Sequence, residues 1–140
     1  MLADSPLATL LDRVASSDPA PGAGPSAGWT CALAAALVEM VSAVALRKDP
    51  PNLAAAVQRR DRAAELRARA LELAHRDVAA YSEVLAVLRR RDERGHGRRL
   101  RGALSEAANP PLAIAEVAAE VTRLAQTPAR RPVAPSAERR

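Results

Sequence analysis

The chain has 140 residues, enough for one domain around one core. It contains no Phe, one Trp and one Tyr, so the core must be built from Ala, Leu and Val, and no alternating β-branched stretch of useful length predicts a strand. A net charge of +5 favours anionic partners without choosing among nucleic acid, acidic protein and polyanionic small molecule. A lone cysteine, Cys31, excludes an intramolecular disulfide and fits a reducing, cytoplasmic setting.

The opening Met1-Leu2-Ala3-Asp4 lacks the basic start of a secretory signal. Asp4 can cap a first short helix, in which Leu7, Leu10, Leu11 and Val14 share one face. Ser17 to Pro25 carries three prolines and two glycines and predicts a constrained turn. A central helix follows over about 26–47, capped by Ser26. Trp29, Leu33, Leu37, Met40 and Val44 line one of its sides and Ala most of the rest, so it is expected to be buried. It is nearly long enough to span a bilayer, but Glu39 near its middle argues against a membrane.

Lys48-Asp49-Pro50-Pro51-Asn52 ends this helix, and a third is predicted over about 53–91. Its apolar stripe is Leu66, Ala70, Leu73, Ala80, Tyr81, Val84 and Leu88. The run Arg89 to Arg101, broken by Gly95 and Gly97, predicts a solvated linker containing His96. A fourth helical region follows, with a break expected at Asn109-Pro110-Pro111, and Ile114, Val117, Val121 and Leu124 on one face. Residues 127–140 lack periodicity and predict a disordered tail. The fold class is therefore all-α, an up-and-down bundle of four to five helices in a domain over 1–126.

Asp77 falls within the apolar stripe of the third helix, between Leu73, Ala80, Tyr81 and Val84. A carboxylate facing a core is costly unless paired or used. Two readings follow. Asp77 is either a structural partner of an Arg or of helix-end amides, or a general acid/base whose pKa burial has raised. On periodicity alone the structural reading weighs more. The Pro19 to Ser26 turn brings glycines to a helix N-terminus, an arrangement that suits an anion or simply a rigid loop. The arginine run has no interleaved aromatic for base stacking, so no specific nucleic-acid partner is expected. His75 lies opposite Asp77. Neither histidine has ligand spacing with Cys31, so no metal site is expected.

Several segments together resemble the formiminotetrahydrofolate cyclodeaminase/methenyltetrahydrofolate cyclohydrolase family. Leu2 to Leu7, with Leu10-Leu11-Asp12 and Ala15-Ser16, resembles its N-terminal helix. Pro19-Ala20-Pro21-Gly22-Ala23-Gly24 resembles its Pro-Gly-Gly-Gly-Ser loop, with Ala23 replacing a glycine and Pro25 the serine. Ala34 to Val41 resembles its central helix, and Lys48 matches a basic residue just beyond it. Asp77-Val78-Ala79-Ala80-Tyr81 and Pro111 to Glu116 resemble later family segments. The resemblance implies a dimeric folate enzyme. Such enzymes release ammonia from 5-formiminotetrahydrofolate to give 5,10-methenyltetrahydrofolate, or hydrolyse the methenyl form. It implies that Asp77 is the acid/base, which turns the balance between the two readings above. It also implies that Gly22 and Gly24 line the folate pocket, that Lys48 contacts the folate's anionic end, and that no cofactor beyond the folate substrate is needed. The family pattern continues with further helices where this chain has Thr127 to Arg140, so a C-terminally shortened member with impaired turnover is expected. The rival from another class is a non-catalytic helical oligomerisation module; an arginine-rich nucleic-acid binder is a third.

Overall fold

The computed structural model describes residues 5–18, 21–48, 52–91 and 94–126. These residues form four helices and no strand: α1 Leu7–Ala15, α2 Ala23–Leu46, α3 Leu53–Leu88 and α4 His96–Ala125. The all-α bundle expected from composition is the observed fold. Asp4, Pro19 and the segments 49–51 and 127–140 lie outside the described residues, and with them the Asp4 cap and the expected tail.

The helix boundaries follow from local chemistry. The Asn52 side chain accepts a hydrogen bond from the Ala55 N–H at 3.0 Å and caps α3. Gly95 precedes α4 with φ 78°, a left-handed conformation that costs glycine nothing. The linker is therefore shorter than the arginine run implied. His96 to Arg101 already belong to α4, and His96 is its first residue. α2 begins earlier than expected, at Ala23, with Gly22 as N-cap. Pro25 fits inside its first turn, where a missing N–H is harmless. Ser26 is inside the helix rather than at its cap, and its hydroxyl donates to the Gly22 carbonyl at 2.8 Å.

The expected break at Asn109-Pro110-Pro111 is absent: α4 runs straight through both prolines. Their missing N–H groups forgo two helix hydrogen bonds. Pro110 is buried, so its ring contributes packing against the bundle that offsets the loss.

The core joins Cys31, Ala32 and Ala35 of α2, Leu66, Ala70 and Leu73 of α3, and Ile114, Val117 and Val121 of α4. The α3 and α4 stripes point where periodicity placed them, except that Tyr81 is 41% exposed. The large stripe of α2 does not. Leu33, Leu37, Met40, Val41 and Val44 are exposed, with Leu33 at 64%, while Gly28, Cys31, Ala32, Ala35 and Ser42 are buried. Small residues let α3 come close. A Cβ on Gly28 would lie 2.8 Å from the Ala74 Cβ and 3.1 Å from the Ala70 carbonyl oxygen. α1 packs lightly, with Leu10 as its buried residue. Among the described residues, ion pairs join Arg67 to Glu39 at 3.0 Å and Arg62 to Glu120 at 2.6 Å across neighbouring helices.

Candidate functional site

The close approach of α2 and α3 sets the site. Gly24 and Gly28 are one turn apart on α2 and face Ala70, Ala74 and Asp77 of α3. At Gly28 the two backbones nearly touch. At Gly24 the space that a side chain would fill is taken by the Asp77 carboxylate, which lies against the first turn of α2. Asp77 therefore sits at the N-terminal end of α2, where the first backbone N–H groups have no partner within the helix.

Around it is a cavity of about 310 Å³, lined by Gly22, Ala23, Gly24 and Pro25 from α2 and its cap, and by Asp77, Val78 and Tyr81 from α3. Burial pushes the Asp77 carboxyl above its ordinary 3.8. Among the described residues no Lys, Arg or His side chain pairs with it. The carboxyl thus lacks the cation that a purely structural pair would supply, and part of it still faces the cavity. Such a group exchanges a proton more readily near neutrality than an exposed aspartate does.

The expected site residues divide. Gly22, Gly24 and Asp77 come together in one cavity. Lys48 does not join them. It follows the far end of α2, and a helix of 24 residues is about 36 Å long. Lys48 is exposed, and its N–H donates to the Ala45 carbonyl at 3.0 Å. Pro25 offers the cavity no hydroxyl, and the next one along, Ser26, is turned back on Gly22 rather than into the cavity. Val78 and Tyr81 also line the cavity and are not among the expected site residues. Tyr81 is one turn beyond Asp77 on the same face, a spacing that a helical reading from Asp77 could have used.

Other polar groups lie elsewhere. His75 is exposed, while His96 sits at the start of α4 with its Nδ1 buried and unpartnered. Burial pushes the Cys31 thiol up, away from thiolate chemistry. A second, open groove of about 490 Å³ lies between α3 and α4, where Arg62, Arg69 and Arg123 alternate with Glu65, Glu116 and Glu120. By length and composition α2 could cross a membrane, yet one of its sides is the bundle core and its Glu39 is paired with Arg67.

Comparison with curated proteins finds no match. The sequence profile of the formiminotransferase-cyclodeaminase family matches residues 6–133, which spans all four helices and both halves of the cavity. The match passes the domain boundary expected at 126. With the all-α bundle and the glycine loop against Asp77, this extent settles the relationship: the chain belongs to the formiminotransferase-cyclodeaminase family.

Proposed function

We propose that this domain processes a one-carbon derivative of tetrahydrofolate in the cytoplasm. Its reaction is ammonia release from 5-formiminotetrahydrofolate to give 5,10-methenyltetrahydrofolate, or hydrolysis of the methenyl form. The observation that carries the reading is the Asp77 carboxyl, pushed up by burial and seated against Gly24 in a cavity at the start of α2. The substrate's second nitrogen attacks the formimino carbon to close the ring, its proton passes to the formimino nitrogen, and the carbon's bond to that nitrogen then breaks. Asp77 delivers the proton with which that nitrogen leaves as ammonia, a task suited to a partly buried carboxylic acid. The Tyr81 ring and the Val78 side chain offer apolar surface for the pterin. The α2 N-terminus favours negative charge developing nearby.

Calorimetry with reduced folates tests this. Saturable binding that weakens with salt is expected, since cationic side chains would hold the folate's carboxylates. No heat with any reduced folate at high protein concentration would remove the enzyme reading. It would leave a helical oligomerisation module, which the exposed apolar side of α2 independently favours. A homodimer fits both readings.

A further inference from the structure

We infer that the ligand's arm leaves the Asp77 cavity along α3, over Val78, Ser82 and Leu85, and that Arg89 binds the carboxylate at its end. The inference rests on the folate reading above, since it gives a place on this chain to the aminobenzoyl-glutamate arm that a folate carries.

The two helices that form the cavity do not end together. Gly24, in the first turn of α2, meets Asp77, while α3 continues to Leu88. About 16 Å of α3 therefore runs on past the turn of α2 that the carboxylate touches. Along this overhang Val78, Ser82, Leu85 and Arg89 recur at intervals of four, three and four residues, which sets them on one side of the helix. Val78 is itself a wall of the cavity, so that side begins where the cavity opens. Val78 and Leu85 are half-buried, and Ser82 and Arg89 are exposed. The Ser82 hydroxyl donates to the Val78 carbonyl at 2.8 Å, so an apolar ring laid across it covers no unpaired donor. Arg89 is the C-cap and keeps helical angles, φ −70° and ψ −18°, so its side chain continues the same side. Among the described residues no carboxylate pairs with its guanidinium.

The order of groups on α3 matches the order of groups on the ligand. The reacting ring belongs at Asp77, the flat aromatic arm against Val78 and Leu85, and the terminal carboxylate at a guanidinium about 18 Å from Asp77 along the axis. Guanidinium suits that end because its fork can take both carboxylate oxygens at once. Glu83, the acidic residue between Asp77 and Arg89, is turned about 140° from Val78 and does not repel the arm. Lys48 is the poorer cation, because the length of α2 puts it about 36 Å from the cavity within its own chain. An arginine at a helix C-terminus also complements the helix dipole. That role does not depend on what is bound, so a comparison of two ligands separates it from ligand binding.

Calorimetry with two probes makes the comparison: 5-formyltetrahydrofolate, which carries the arm, and 6-methyltetrahydropterin, which lacks it. Wild type should bind the folate more tightly than the pterin, with a salt dependence that the pterin does not show. Arg89→Ala should weaken the folate roughly fivefold, the reach of an exposed ion pair, and remove most of its salt dependence. It should leave the pterin unchanged. Arg89→Glu should weaken the folate further and again spare the pterin. Unchanged folate affinity in Arg89→Ala would overturn the inference, as would an equal loss for both probes, which would mark an effect on the helix alone. A loss in Lys48→Ala with none in Arg89→Ala would send the arm toward the far end of α2 and overturn it too. If wild type binds both probes equally, no cation holds the arm, and the inference fails while the cavity keeps its pterin. If wild type binds neither, the folate reading fails and the inference falls with it.

Discussion

Asp77 is where the physics of one residue decides between structure and chemistry. Its folded pKa is raised by burial, so the neutral acid is the form that folding favours. The sign follows: this site is most favourable to folding below the ordinary 3.8, and that advantage is lost as pH rises through the raised value. Asp77→Asn should therefore match wild type near pH 3 and equal or exceed it in stability by neutrality, as read by denaturant unfolding at both pH values. Ammonia release should fall by roughly a hundredfold or more in the same variant, the usual worth of a positioned acid. A variant that loses stability at neutral pH instead would mark Asp77 as a structural partner. Gly24→Ala gives a second view. The added methyl group would meet the Asp77 carboxylate, so the carboxylate or the helix must shift. Loss of about 1–3 kcal/mol by thermal melting is expected, with weaker folate binding. Replacing Asp77 by Ala in the same chain should relieve most of that loss. The position of Asp77 on the apolar stripe was legible from its spacing. Its contact with Gly24 was not, because no local pattern says which turn of α2 meets which turn of α3.

At the scale of the elements, the sequence was most readable where large and polar residues alternate cleanly. Leu66, Leu73 and Val84 on α3, and Ile114, Val117 and Val121 on α4, turn inward as their periodicity requires. α2 was ambiguous because it is apolar nearly all round, and a helix without a polar face gives no signal of its orientation. Close packing chose the side of Gly28, Ala32 and Ala35 and left the leucines outside. Pro110 and Pro111 misled for a related reason: local propensity predicts a break, while burial of Pro110 holds the helix together. Paired substitutions on α2 test the division of its faces. Ala35 is fully buried, so Ala35→Leu should overpack the contact with α3 and cost about 1–3 kcal/mol in chemical unfolding. Leu37→Ala, on the outer side, should leave unfolding of the monomer nearly unchanged. The opposite ranking would mean that the leucine side is the true core face.

For the whole molecule, the question is what a chain of net charge +5 attracts. Several arginines are already engaged with carboxylates among the helices. Arg62 bridges Glu65 and Glu120, Arg67 holds Glu39, and Arg60 and Arg69 pair with Asp61 and Glu72. The densest run of arginines in the sequence is Arg89 to Arg101, which begins at the C-cap of α3 and reaches into the first turns of α4. Its arginines are exposed where described, so they can meet phosphates and release counterions. Phosphate contacts give affinity without sequence selection. Trp29 and Tyr81 both lie outside this stretch, so no aromatic stacking platform accompanies it. The expected outcome is weak duplex and single-strand binding that does not depend on sequence. In a gel-shift titration it should fall steeply with added salt and vanish near physiological ionic strength. Folate binding should respond differently, because part of its affinity comes from apolar contact with Val78 and Tyr81, which salt does not screen. A salt series on both ligands therefore separates them. A folate isotherm that survives physiological salt while the nucleic-acid shift disappears supports a small-molecule site at Asp77. Tight, sequence-selective nucleic-acid binding that persists at that salt would make the arginine stretch, and not the cavity, the working surface of the protein.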